Sequence, residues 1–274
     1  MKTVLTIAGF DPSSGAGITA DLMVFAAHGL FGTSCITALT VQNTRGVFAT
    51  HPVASDTISS TLDRLYEDLP PAGIKIGMLG TAEAVSSVSA FLTHIRPQTS
   101  TVVVLDPVLK SSSGKDLLDE DGLRRLRHEL LPQVDWITPN VDETWALIGQ
   151  ETPRKGDLSK AARHLQTVSN KLTIVVTGGH LDPPHDLLLE PYSNEQLVTG
   201  ERIHTTSTHG TGCAFSSALL CELVLERTPL AAVRAAKMYV AQAMRSATPI
   251  GSGHGPLNHL WPLKPSPKSQ SLRS

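Results

Sequence analysis

Residues 203–225 read IHTTSTHGTGCAFSSALLCELVL. Hydroxyl-bearing residues lead through Gly210-Thr211-Gly212 into an apolar run where Phe215, Leu219, Leu220 and Leu223 recur at helical spacing. A helix entered through glycines leaves its first N–H groups unpaired at the positive end of its dipole. Such a place suits an anion, above all a phosphoryl group in transfer. Cys213 stands at the helix head, where a thiol pKa is expected to be lowered. Taken alone, Gly-Thr-Gly fits an ordinary glycine-rich loop before a core helix equally well, so the remainder of the chain has to decide.

Outward from that stretch, short β-branched runs alternate with longer helical patterns. Strands are expected at 3–8, 34–40, 74–78, 101–106, 136–138, 173–177 and 186–190. Helices are expected at 16–28, 56–69, 82–95, 119–131, 141–148, 158–168, 211–225 and 230–247. This alternation builds βαβ units and a mostly parallel sheet with helices on both faces. Val102-Val103-Val104-Leu105 is apolar throughout, as in a strand covered on both sides. No internal repeat or Pro/Ser-rich linker divides the chain, so a single α/β domain is expected over 1–261. Residues 262–274, with Lys264, Pro265, Pro267 and Lys268 among serines, are expected to form a disordered polar tail.

The chain has 274 residues, 41% hydrophobic and 18% charged, with a net charge of -2. This is a soluble globular composition with ample apolar material for a core. The near-neutral balance argues against a nucleic-acid partner. Three cysteines do not make a disulfide framework and point to a reducing compartment. The N-terminal apolar run meets Asp11-Pro12 too soon for a signal peptide, and no run approaches a membrane span. A cytoplasmic protein is expected.

In such sheets, ligands sit beyond the carboxyl ends of the strands. Gly9-Phe10-Asp11-Pro12-Ser13-Ser14-Gly15-Ala16-Gly17 follows the first strand, Gln42-Asn43-Thr44 the second and Gly77-Met78-Leu79-Gly80 the third. Asp106-Pro107 ends the fourth, Pro139-Asn140 follows the fifth and Gly178-Gly179-His180 the sixth. Successive strand ends carrying glycine, amide or acid groups mark one rim as a site.

Gly15-Ala16-Gly17-Ile18-Thr19-Ala20 matches the dinucleotide fingerprint, but its glycines lie well past the strand end. Gln42-Asn43 also stands where an acid would hold a ribose, and no P-loop motif occurs. Asp106 is either a loop cap or a charge facing the site and drawing in Mg²⁺. Asn140 and Glu143 fit a capping box and, on one helical turn, equally fit a hydrated Mg²⁺ beside nucleotide phosphates. His204, His209, His254 and His259 lack the pairing of Zn ligands and read as solvated or capping side chains. Cys35 and Cys221 read as buried small hydrophobes.

Several stretches together resemble the hydroxymethylpyrimidine/phosphomethylpyrimidine kinases of thiamine biosynthesis, in the vitamin-kinase branch of the ribokinase-like fold. They include Ile7-Ala8-Gly9, Asp11-Pro12-Ser13, Gly15-Ala16-Gly17 and Ala20-Asp21-Leu22, then Thr37-Ala38-Leu39-Thr40-Val41-Gln42-Asn43-Thr44 and Lys75-Ile76-Gly77-Met78-Leu79. Asp106-Pro107-Val108, Ile137-Thr138-Pro139-Asn140, Gly178-Gly179-His180-Leu181 and Thr208-His209-Gly210-Thr211-Gly212-Cys213 complete them. The resemblance runs from about Val4 to His259.

What it implies is an ATP- and Mg²⁺-dependent kinase acting on 4-amino-5-hydroxymethyl-2-methylpyrimidine and then on its monophosphate. Gln42 would hydrogen-bond the aminopyrimidine, and Gly9, Ala16, Asp21, Met78 and Val108 would line its pocket. Gly210, Thr211 and Gly212 would form the anion hole. Cys213 would stand where sugar and pyridoxal kinases of this fold carry a catalytic Asp, and would accept the hydroxymethyl proton. Asn140, Thr177, Gly179, Thr208 and Lys237 would face the nucleotide, and Asp106 and Glu143 the metal. A homodimer is implied as well.

One departure stands out. The family commonly has a Lys before Gly-Gly-His, where this chain has Thr177; Lys110, on the loop 110–114, is a candidate substitute. Two other readings remain open: a pyridoxal kinase, which Gln42 and Met78 disfavour, and a catalytically weak pyrimidine-binding or sensor domain, to which Thr177 alone points.

Overall fold

The computed structural model describes residues 1–111, 114–149, 158–179 and 181–263. Strand β1 (Thr3–Phe10) is buried on both faces for nearly its whole length, because its side chains alternate between two apolar layers. Leu5 and Ile7 enter one layer and Val4 the other; Val103 and Leu105 oppose Val104 in the same way. Each such side chain, fully buried, is worth about 1.5–3 kcal/mol.

The other strands are β2 (Phe31–Asn43), β3 (Gly46–Pro52), β4 (Gly73–Ile76), β5 (Val102–Leu105), β6 (Trp136–Ile137), β7 (Thr173–Val176), β8 (Asp186–Leu189) and β9 (Gln196–Val198). They form one sheet in the order β3-β2-β1-β4-β5-β6-β7-β8-β9. β2, β1, β4, β5, β6 and β7 run parallel, with β3 antiparallel at one edge and β8 and β9 antiparallel at the other. The carboxyl ends of the parallel strands therefore share one rim. Helices α2 (Ser55–Asp68), α3 (Ala82–Ile95), α4 (Glu120–Arg125), α5 (Val141–Leu147) and α6 (Leu158–Gln166) cover one face. Helices α1 (Gly17–Ala27), α7 (Thr211–Val224) and α8 (Pro229–Arg245) cover the other. The result is the three-layer α/β architecture expected.

Three elements differ from expectation. The sequence reading ended the second strand at 40 and had no strand after it, whereas β2 runs on to Asn43 and turns back as β3. β9 has only three residues, too few for an alternating pattern to show. The helix expected over 119–131 is α4 followed by a wide π turn, Leu126–Leu130, and a 3₁₀ turn, Leu131–Gln133. Pro132, which lacks an N–H, accompanies that break. Of the expected polar tail, 264–274 lie outside the described residues, while the Leu263 N–H closes a turn on the Leu260 carbonyl at 2.9 Å.

Candidate active site

The floor of the site is an ion pair in the sheet. Lys75 on β4 is fully enclosed and reaches Asp21 of α1 at 3.1 and 3.0 Å. The Asp21 carboxylate also accepts from the Thr6 hydroxyl at 2.6 Å and the Ser217 hydroxyl at 2.7 Å. A charge buried this deeply needs such company. Burial opposes the Lys75 charge, but Asp21, Cys213 and Asp106 outweigh it and hold its pKa above the ordinary value. Asp21, expected on the pocket wall, has no exposed surface.

Above this floor, α7 starts at Gly210, whose φ of 82° is left-handed. A side chain there would put its Cβ 1.8 Å from the Gly15 carbonyl oxygen, so the position requires glycine twice over. A Cβ on Gly212 would meet nothing within 4 Å, which leaves the backbone open to a ligand. Gly210, Thr211 and Gly212 open α7, and among the described residues no acceptor outside the helix takes their N–H groups. Cys213 is the third residue of α7, close enough to Lys75, Asp106 and Asp21 for their charges to bear on its thiol. The expectation of a lowered thiol pKa is not met. Cys213 keeps some contact with solvent, yet the dense protein around it pushes its pKa up to about 12, against the pull of Lys75. A helix end carries only about half a charge, less than burial takes away.

Beside Cys213 lies a small apolar cluster of Ala38, Met78, Leu117 and Val108. Gly9 lies flat against it: a Cβ there would sit 3.0 Å from the Met78 sulfur. Gln42 stands at a bulge of β2 opposite Val47, and its amide makes no hydrogen bond to protein among the described residues. Ala16 precedes α1, its N–H held by Asp11 at 2.9 Å. Gly9 meets Met78, Val108 packs on the same cluster, and Ala16 lies between Gly15, which meets Gly210, and Gly17, which meets Gly9.

Asp106 leaves β5 and is 5% exposed. Burial raises its pKa, with Ser216 at 3.1 Å and Lys75 at 4.0 Å opposing. Asn140 and Glu143 form the capping box: Asn140 Oδ1 accepts the Glu143 N–H at 2.9 Å and Glu143 Oε2 accepts the Asn140 N–H at 2.8 Å. Burial, with the Asp106 charge adding to it, pushes Glu143 up to about 8. Thr177 bonds the Pro139 carbonyl through its N–H at 2.8 Å, Thr208 meets His254 at 3.0 Å, and Gly179 is exposed. Lys237, expected at the nucleotide, is paired with Asp186 at 2.6 Å and the Pro184 carbonyl at 2.9 Å. Lys110 is 68% exposed and paired with Asp116 at 3.2 Å. Ser112, Ser113 and His180 lie outside the described residues.

Two surface depressions, one along α2 between Asp56 and Leu65 and one between Met1 and Thr101, lie off this rim. The converging groups, rather than depth, mark the site.

A family model for phosphomethylpyrimidine kinase matches residues 11–258, which span all of these groups except Thr6 and Gly9. The chain belongs to the phosphomethylpyrimidine kinase family. Among curated proteins, the hydroxymethylpyrimidine/phosphomethylpyrimidine kinase of Haemophilus influenzae is 40% identical over 264 residues, covering 94% of this chain and 97% of that one. Among solved structures, the phosphomethylpyrimidine kinase of Clostridium difficile 630 aligns with a TM-score of 0.76 at 33% identity, over 89% of this chain and 99% of that one. The pyridoxal kinase of Staphylococcus aureus, in complex with pyridoxal, aligns with a TM-score of 0.83 at 27% identity, over 95% and 94%. The ribokinase-like vitamin-kinase fold is common to these relatives and to this family member.

Sequence reasoning gave Lys75 and His209 no role. Lys75 had left a signal, a lone cation inside the apolar Gly73-Ile74-Lys75-Ile76, which demands a buried carboxylate. His209 had left none, because its partner Asp11 is 198 residues away.

Proposed function

We propose that this phosphomethylpyrimidine kinase family member moves the γ-phosphoryl group of ATP onto the hydroxymethyl oxygen of 4-amino-5-hydroxymethyl-2-methylpyrimidine, and then onto the phosphate of the resulting monophosphate. One observation carries the reading: the anion hole of α7 and the pocket of Met78, Val108 and Gly9 meet across the Gly15-Ala16-Gly17 segment. The Gln42 amide, without a hydrogen-bond partner among the described residues, can give a hydrogen bond to a ring nitrogen and take one from an exocyclic amine.

In the first step the hydroxymethyl oxygen forms a bond to the γ-phosphorus, and ADP leaves with the electron pair of the broken P–O bond. The N–H groups of Gly210–Cys213 brace the charge in transit. Cys213 rests as a thiol with some contact with solvent, so it passes its proton to water before it takes up the hydroxymethyl proton; Lys75 is the charge that favours the thiolate. In the second step the acceptor is already anionic, and Cys213 only positions it.

The donor set fits Mg²⁺. Asp106 is buried and Glu143 partly so, and the Asp106 charge raises the pKa of Glu143, a strain that a divalent cation relieves. Phosphate oxygens and water complete such a site. When bound, the ion neutralises charge on the phosphates. On the nucleotide side Thr177 brings no charge. Arg202 donates to the Gly179 carbonyl at 2.9 Å and has no carboxylate partner among the described residues, so it serves as the cation there in place of the paired Lys110 and Lys237.

The same reading covers a homodimer, with the apolar side chains of Leu39, Val41 and Phe48 on β2 and β3 as the contact, 48%, 51% and 64% exposed. It also takes residues 1–261 as one domain working in the cytoplasm. Likeness to a pyridoxal kinase favours a second reading, pyridoxal as acceptor. ADP release from ATP and Mg²⁺ with the pyrimidine, its monophosphate or pyridoxal decides between the two.

A further inference from the structure

The loop between β1 and α1 and the loop before α7 are built as one piece, and the joint is Asp11 with His209. Asp11 is 2% exposed. Its Oδ1 accepts the N–H of Ser13 at 2.8 Å and the Ser13 hydroxyl at 2.7 Å. Its Oδ2 accepts the Ala16 N–H at 2.9 Å and faces His209 Nε2 at 2.7 Å. The backbone of His209 is fixed in turn, its N–H donating to the Gly255 carbonyl at 3.1 Å. The imidazole lies flat on Gly15: a Cβ on that glycine would fall 2.2 Å from His209 Cδ2. From the other side His259, 2% exposed, sets Nε2 3.2 Å from the Gly15 carbonyl. The same carbonyl is the atom against which Gly210 is packed, and two residues on Gly17 is packed closely against the Gly9 carbonyl.

From these contacts we infer that His209 is a positioning residue, which fixes the anion hole relative to the acceptor pocket through its bond to Asp11. It touches no reacting atom. Gly15–Gly17 form one wall of the pocket and the packing surface of the hole, so a shift of either loop alone misaligns acceptor and phosphoryl group. A misplacement of about 1 Å at a reacting centre costs on the order of 10²-fold in rate. The Asp11–His209 bond is charge-assisted and shielded from water, so it is strong enough to fix two loops. This inference rests on the kinase reading for its kinetic consequence but not for its structural one.

The test uses the full chain and the variants His209→Ala, His209→Gln and Asp11→Asn. For His209→Ala, kcat on both pyrimidine substrates is expected to fall on the order of 10²-fold, with the Michaelis constants for pyrimidine and ATP little changed. His209→Gln keeps an N–H donor and is expected to restore most of the rate. Asp11→Asn combined with His209→Ala is expected to be no worse than the weaker single variant, because one bond is lost in all three. Amide hydrogen exchange is expected to rise together in 13–17 and 208–213 in His209→Ala, and this readout needs no substrate. Unchanged turnover in His209→Ala would overturn the inference. So would exchange confined to 208–213, or a His209→Gln variant as slow as His209→Ala despite native exchange, since the ring itself would then be the reactive group. If His209→Ala does not fold, His209→Gln and Asp11→Asn carry the same comparison.

Discussion

Lys75 and Asp21 are each tolerated in the core only because of the other. Replacing Lys75 with Met leaves a buried carboxylate with two hydroxyl donors and no cation, and removing one partner of a buried pair costs about 3–5 kcal/mol. Urea denaturation is expected to show that loss for Lys75→Met, and much of it recovered in Lys75→Met with Asp21→Asn. A Lys75→Met protein as stable as the parent would mean that the pair does not hold the floor. Cys213 answers to a different test. Cys213→Ala is expected to slow phosphorylation of the hydroxymethyl substrate by about 10²-fold or more and that of the monophosphate much less, since only the first acceptor must lose a proton. Equal slowing of both steps in single-turnover measurements contradicts that division. At this scale, glycines and the thiol were legible because their chemistry follows from type and local order. The Cys213 pKa was not, because burial is a property of the whole neighbourhood.

At the scale of elements, the β1–α1 loop takes its shape from one carboxylate. Burial alone would raise the Asp11 pKa, but hydrogen bonds from His209 and Ser13 together outweigh it and hold the group below the usual carboxylate range. A carboxyl with a depressed folded-state pKa stabilises the fold above its unfolded value of about 3.9, and that contribution fades as the pH falls through the folded value. The parent is therefore expected to lose stability in that acid range through this group. In Asp11→Asn that part of the acid limb is expected to flatten, with about 1–3 kcal/mol already missing at neutral pH. Chemical denaturation across the acid range reads both effects, and parallel acid limbs in parent and variant would contradict the assignment. The helices that fill the two core layers were readable from apolar periodicity, and 82–95 was placed to the residue. β3 was not, because an edge strand ending in His51-Pro52 is defined by its pairing with β2 rather than by its own pattern. The π turn after α4 carries no signature beyond Pro132.

At the scale of the molecule, parallel strands with both faces covered force one rim to collect the loops, and that rim was visible in the order of residues alone. What the order could not show is which elements touch: Asp11 with His209, Lys237 with Asp186, Asp21 with Lys75. The apolar face of β2 and β3 also appears only once the hairpin is formed. Light scattering is expected to report twice the chain mass of 29.2 kDa, and Phe48→Glu is expected to halve it. A parent that scatters as a single chain removes the dimer from the account.

The central claim is that the rim holds an aminopyrimidine alcohol opposite an anion hole for the transferring phosphoryl group. The most direct test is ADP release by the purified protein with ATP and Mg²⁺, offered 4-amino-5-hydroxymethyl-2-methylpyrimidine, its monophosphate and pyridoxal in parallel. Turnover of both pyrimidines, with pyridoxal much the poorer, is the predicted result. Turnover of pyridoxal alone, or binding of the pyrimidine without any ADP release, would contradict it.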